Sequence, residues 1–363
     1  MANMRMQKNN SKRGFTLLEL MVSMAVGLIV MAAMASLFKT GLNSTTLVTQ
    51  RAENQQNMRA AIDLMVKDIS MAGAGLPSGG IQLPSGAGWT ASKFGCDQAG
   101  TCHVPAYTYP NSNYMYGIIP GFSNGVEGNA VVTAAPAPAI NDSITVIYVD
   151  YNFPLFEYNV TFPTPGNGTS ITLAANPIYT PAPPAINSAG GIQVGDLIML
   201  SNSSTTGTAV GEVTGITPTT IAFANLDPLN MNQNSAAANN IKAISTGSNT
   251  VAYRLYAVTY YLTVPAAGQT PRLMRQVNGL SPVPVADDII NLQFAFDTYN
   301  STTAALDANQ ANPIGVGESP NLIQKINIVV MGQSILNNGN KSQNMYLATS
   351  VSARNMAFRN RYQ

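Results

Sequence analysis

The chain has 363 residues, 10% of them charged and 45% hydrophobic, with 18 basic against 17 acidic side chains, one histidine and two cysteines. So sparse and balanced a charge argues against a nucleic-acid surface driven by bulk charge, and one histidine leaves no Ser-His-Asp or Cys-His catalytic set once the cysteines pair. The length suits one membrane element with one large or two small domains.

The amino-terminal stretch carries Arg5, Lys8, Lys12 and Arg13 and no acid, so it stays in the cytoplasm and the remainder lies across a membrane. From Phe15 to Phe38 the sequence is apolar apart from small or hydroxylated residues and Glu19. That run of roughly 24 residues is long enough to span the hydrocarbon as a helix. An acid four residues into such a run costs a few kcal/mol by insertion scales, so Glu19 requires a partner or a function.

The block Lys12-Arg13-Gly14-Phe15-Thr16-Leu17-Leu18-Glu19-Leu20 resembles the type III signal of type IV prepilins and of the pseudopilins of type II secretion. The resemblance implies cleavage between Gly14 and Phe15 by a membrane-bound prepilin peptidase, and N-methylation of the new terminus at Phe15. It also implies that Glu19 meets the free amine of Phe15 on a neighbouring subunit, an ion pair that lipid would strengthen. A secretory signal would place its cleavage site after the apolar run instead.

Beyond Phe38 the pattern becomes amphipathic. Met58, Ile62, Met65, Ile69 and Ala72 fall on one helical face, Arg59, Asp63 and Lys67 are spaced for ion pairs on the other, and Gly73-Ala74-Gly75-Leu76-Pro77 stops the helix. Many major pilins carry a proline where this chain has Ser36; Gly41, nearby, is the residue that softens the helix here. Residues 73–139 have no clear period and read as a loop-rich insertion. Within it Cys96 and Cys102, separated by five residues in an exported chain, are expected to form a small disulfide loop. His103 beside them makes only three adjacent metal-ligand candidates at a spacing that fits no zinc module, so no metal is expected. Tyr107, Tyr109, Tyr114 and Tyr116 offer either a contact surface or packing for the loop.

From residue 140 onward the chain reads as about ten strands separated by turns: 144–151, 158–162, 196–201, 211–216, 219–224, 251–264, 272–277, 289–296, 323–331 and 346–352. The stretch 251–264 is apolar on both faces and should be central in its sheet. Asp287 with Asp288, and Asp142 with Asp150, are candidate carboxylates for a cation, but adjacent acids at a strand start are ordinary turn residues. No phosphate loop and no paired histidines on a helix are present.

Val194-Gly195-Asp196-Leu197-Ile198-Met199-Leu200, Leu273-Met274-Arg275, Val285 to Phe294 and Ala353 to Arg361 are similar to PilW-type minor pilins, with J-type pseudopilins sharing the same plan. The expected fold is α+β: a cleaved leader at 1–14, a membrane or filament-core helix at 15–38, its amphipathic continuation at 39–72, the insertion at 73–139 and a β-rich head at 140–363. The resemblance implies a non-enzymatic minor pilin without cofactor, held in the inner membrane with a periplasmic head and then incorporated near the tip of an extracellular filament. Its partners would be the major pilin, other minor pilins, the peptidase and methylase, and the inner-membrane assembly machinery. A secretion pseudopilin and a tip adhesin are the alternatives.

Overall fold

The computed structural model describes residues 14–90, 92–93, 114–121, 141–203, 207–265, 269–313, 315–335 and 342–356. The chain divides into two compact units, one ending at Glu53 and one beginning at Asn54. A single helix, α1 (Leu17–Ser70), belongs to both and runs unbroken through Ser36 and Gly41. Hydroxyl side chains along it, Thr40 on the Ser36 carbonyl at 2.9 Å and Thr45 on the Gly41 carbonyl at 3.0 Å, satisfy themselves on the preceding turn.

The first unit is apolar and uncovered. Leu17, Leu18, Leu28 and Phe38 are 78%, 72%, 67% and 69% exposed, far beyond what water tolerates on a continuous surface. This is the one described helix long and apolar enough to cross a membrane, its most apolar window having a mean hydropathy of 2.3.

The second unit is a β-rich head into which the last turns of α1 are packed. A ten-stranded antiparallel sheet contains β3 (Ile118–Gly121), β4 (Ser143–Asp150), β5 (Tyr158–Thr161), β6 (Ser170–Ala175), β7 (Leu197–Asn202), β8 (Gly207–Ile216), β9 (Thr220–Phe223), β10 (Thr250–Thr263), β11 (Arg272–Val277) and β12 (Val283–Ala286). A four-stranded sheet follows in the order β14-β13-β15-β16, with β13 at Ile289–Asn300, β14 at Ala305–Gln310, β15 at Ile323–Ile335 and β16 at Ser342–Ser352. A two-stranded pair, β1 (Ile81–Gln82) with β2 (Tyr114–Met115), a one-turn helix α2 (Ile241–Ile244) and two 3-10 turns at Leu155–Glu157 and Pro320–Leu322 complete the described elements.

Strand β10 is central, as its two apolar faces require: it pairs with β4 over Arg254–Tyr260, with β7 over Thr250–Leu255 and with β11 over Val258–Thr263. One face, bearing Tyr256, Val258, Tyr260 and Leu262, meets the helix. The other, bearing Leu255 and Ala257, faces a second cluster with Met199 and Leu229. A third cluster, around Ile198, Leu200 and Ile221, takes Ala252 from the same strand.

The helical face read from the periodicity is the one that packs. Met58, Ile62, Met65, Ile69 and Ala72 are all buried, against Val146, Tyr260, Phe294 and Ile328 among others. Each large side chain so placed stabilises the head by roughly 2 kcal/mol. Arg59, Asp63 and Lys67 are exposed, yet no ion pair closes between them among the described residues; solvated side chains gain little by ordering themselves for such a contact. The helix ends where Gly73 adopts φ 76°, and a Cβ there would lie 2.8 Å from Met356 Cγ, so both backbone and space demand glycine.

The described parts of 73–139 belong to the head core: Leu76, Ile81, Leu83, Met115 and Ile119 are buried beside β4 and β7. Strands β1, β2 and β3, in the segment expected to be loop, and β6, β12 and β14 have no counterpart among the expected ten.

Candidate functional site

Gly14, Phe15 and Thr16 precede the helix in irregular backbone, and among the described residues nothing lies within 4 Å of where a Cβ on Gly14 would be. Phe15 is 86% exposed. Thr16 caps the helix: its hydroxyl accepts the Glu19 amide at 3.3 Å, while the Glu19 carboxylate accepts the Thr16 amide at 3.0 Å and its hydroxyl at 3.1 Å. This reciprocal capping box satisfies two donors at the helix start that lipid could not satisfy. The Thr-x-x-Glu spacing is the sequence signal of this capping box, which gives Glu19 a partner within its own chain.

Three buried polar clusters among the described residues of the head hold its most perturbed charged groups. In the first, Asp68, in the last turn of α1, accepts the Tyr148 hydroxyl at 3.1 Å, the Tyr260 hydroxyl at 2.6 Å and Arg275 Nε at 2.8 Å. An acid at a helix carboxyl end is opposed by the backbone dipole, so these three donors from β4, β10 and β11 compensate for its position. Burial, and secondarily the Asp68 charge, push both tyrosines well above their ordinary range.

In the second, Arg254 of β10 bonds Asp150 through Nε and Nη2 and reaches the Gly191 carbonyl at 2.8 Å through Nη1. Its guanidinium lies 5.4 Å from the Phe153 ring centre and 5.3 Å from that of Tyr256. In the third, Asp227 gathers the backbone amides of Glu212, Met231 and Asn232 at 2.8 to 3.1 Å, and Glu212 Oε2 accepts Leu229 N at 3.3 Å. Glu212 Oε1 is buried with no hydrogen-bond partner among the described residues. Burial, then the neighbouring Asp227 charge, push the Glu212 carboxyl up to about 8; burial likewise pushes Asp227 up to about 6, its amide donors pulling the other way.

The paired acids read from the sequence lie apart. Asp142 and Asp150 sit just before and at the far end of β4; Asp142 accepts the Phe294 amide at 2.9 Å. Asp287 pairs with Arg272 at 3.0 Å, and Asp288 accepts the Thr270 hydroxyl. Among the described residues no group of three or more His, Cys, Asp or Glu is arranged to hold a metal. Cys96, Cys102, His103, Tyr107, Tyr109 and the leader cations lie outside the described residues; Tyr114 and Tyr116 stack with ring centres 6.0 Å apart.

An exposed apolar helix with a capped acidic start, joined to a β-rich head, has a pilin-like α+β architecture and fits anchoring in a membrane. Residues 9–35 match the family described as prokaryotic N-terminal methylation motif, which supports a type IV pilin-like prepilin and implies processing by a prepilin peptidase. No curated protein and no solved structure matches the chain.

Proposed function

We propose that this protein is a minor pilin of the PilW type, cut between Gly14 and Phe15, methylated on Phe15 and incorporated near the tip of a type IV pilus, where it helps to start assembly. Residues 1–14 are then the discarded leader, 15–38 the filament-core helix, 39–72 its amphipathic continuation, and 73–139 and 140–363 the head region, which faces the periplasm before assembly and the exterior afterwards. The major pilin, other minor pilins and the inner-membrane assembly machinery are its partners, and neither enzyme activity nor a cofactor enters the role.

One observation supports the reading: the methylation motif covers the start of a helix that is apolar and exposed as far as Phe38, and in that stretch Glu19, four residues from Phe15, is the one acid. A surface of that kind requires lipid or the helices of other subunits. Glu19 exchanges its capping bond within the chain for the amine of a neighbour's Phe15, which fixes axial register.

Two substitutions separate the roles of Glu19. Glu19→Ala removes both cap and charge, whereas Glu19→Gln keeps the cap and removes only the charge. Both should be cleaved normally and be recovered poorly in sheared filaments, scored by mass spectrometry against the major subunit. Normal recovery of Glu19→Gln would refute the charge pairing. The same mass spectra, finding the chain absent from filaments while protein export fails in a deletion strain, would instead assign it to a secretion pseudopilus.

A further inference from the structure

Two buried acids of the head are served unequally. Asp227, in the loop between β9 and α2, accepts three backbone amides, from Glu212 at 3.1 Å, Met231 at 2.8 Å and Asn232 at 2.9 Å. Glu212 of β8 is 1% exposed and accepts one, from Leu229 at 3.3 Å. Its Oε1 meets no donor among the described residues and lies against Gly279, where a Cβ would be 2.4 Å away. Asp227 is thus equipped to hold a charge in the interior and Glu212 is not, so the proton that such a pair retains belongs to Glu212. No cation offsets a second charge there. Asp227 faces Glu212 from the loop, while Leu197, opposite it on β7, and the turn at Gly279 bring no charge. On the neighbouring elements Asp196 and Arg254 answer each other at 3.8 Å, and neither Lys93 nor Lys242 of α2 forms an ion pair among the described residues. The loop also holds Leu226 and Asn230 in left-handed backbone, at φ 55° and 52°, which is costly for leucine. A strap of chain hangs on this loop. The Thr90 amide and hydroxyl donate to Gln233 Oε1 at 2.7 and 3.1 Å, and the Thr90 carbonyl accepts Gln233 Nε2 at 2.7 Å. The Ser92 hydroxyl donates to the Asn230 carbonyl at 3.1 Å, and the Lys93 amide to the Leu229 carbonyl at 2.8 Å.

We propose that Glu212 is a proton-operated latch: while its carboxyl is protonated the loop at 226–233 stays seated with the strap upon it, and loss of that proton, which leaves two carboxylates buried together, releases loop and strap as one local opening. The strands keep their pairing in the open form. Leu229 and Met231, now 2% and 0% exposed, leave the second apolar cluster, whose strand residues stay in place. Losing that burial opposes release, so the open form is a minor population that grows with pH. Burial, then the Asp227 charge, push the Glu212 carboxyl up to about 8 in the closed form, whereas an exposed carboxyl ionises in the ordinary range. The closed form therefore holds the proton more tightly, and opening becomes easier as pH rises toward about 8 and levels off above it. Asp227, pushed up to about 6, adds little over the upper part of that range. Between pH 6 and pH 8 the ratio of open to closed should rise about a hundredfold. The proposal concerns the head alone and does not depend on which filament the chain serves.

The test is hydrogen exchange of the full chain in detergent, read by mass spectrometry at pH 6, 7 and 8 and divided by the intrinsic chemical rate. Peptides covering the loop and the strap should open together and well ahead of β10, with an opening constant that rises about a hundredfold from pH 6 to pH 8. In Glu212→Gln, which imitates the neutral acid, the rise should shrink to less than about threefold in both peptides, with the loop as protected as in the wild type at pH 6. The infrared band of a protonated carboxyl should be present in the wild type at pH 6, lost by pH 9 and missing from Glu212→Gln. The wild-type exchange series and infrared course decide the matter even if Glu212→Gln fails to fold. A loop that opens only together with β10, an opening constant flat with pH, or a strap whose pH dependence differs from that of the loop would each overturn the proposal. So would a folded Glu212→Gln that keeps the wild-type rise.

Discussion

Removing the Asp68 carboxylate should loosen the attachment of α1 within the head, and the cost follows from its three donors. In Asp68→Ala the fully buried Tyr260 hydroxyl and the nearly buried Tyr148 hydroxyl lose their acceptor, at about 1 kcal/mol each. Arg275, partly screened by water, loses its only ion pair among the described residues, adding about 2 kcal/mol. The expected loss is about 4 kcal/mol, a large share of the 5 to 15 kcal/mol typical of a domain. Asp68→Asn keeps volume and one acceptor and should lose about half as much. Guanidinium unfolding of the full chain in detergent, followed by the single tryptophan, Trp89, measures both. Replacing the whole set with Asp68→Leu, Tyr148→Phe, Tyr260→Phe and Arg275→Met should recover most of the loss, since no orphaned polar group remains. A loss below about 1 kcal/mol for Asp68→Ala, or a larger one for Asp68→Asn, would refute the reasoning.

The Glu212 and Asp227 carboxyls hold their protons more tightly folded than unfolded, so stability should be highest at acid pH and fall as pH rises through about 6 and on toward about 8. Glu212→Gln, which imitates the neutral acid, should remove on the order of 2 kcal/mol of that fall, read as a smaller shift of the unfolding midpoint between pH 5 and pH 8; a wild-type midpoint that rises over this range would contradict the assignment. Gly14→Leu should leave the chain unprocessed, and intact-mass measurement of the membrane form should show the leader still attached. Denatured but unreduced protein should take up no thiol reagent if Cys96 and Cys102 are joined, whereas uptake at both would rule the pairing out.

Most of the helix and the principal strands were legible because their signals are local. The apolar stripe from Met58 to Ala72 repeats with the helical period, and β10 is apolar on both faces because the helix covers one and a second apolar cluster the other. Asp68 was not legible as a core residue: it borders the stripe at Ile69, and its partners lie 80, 192 and 207 residues further along the chain. Glu212 sits in a strand buried on both faces, where Gly211 and Thr214 weaken the apolar signal that would have marked its position as interior. Strand β14, ALDANQ, has little intrinsic preference for extended backbone and forms because β13 offers it an edge. Pro284 disguised β12, although an outermost strand tolerates proline. At the amino terminus the motif at residues 9–35 was legible because it is a short contiguous segment of chain.

All three main apolar clusters of the head draw side chains from β10: Tyr260 for the one that holds the helix, Leu255 for the second and Ala252 for the third. No cluster can therefore melt while its neighbours stay intact. A head pulled from outside should yield as one piece, so its failure should appear as a single abrupt step in a force trace.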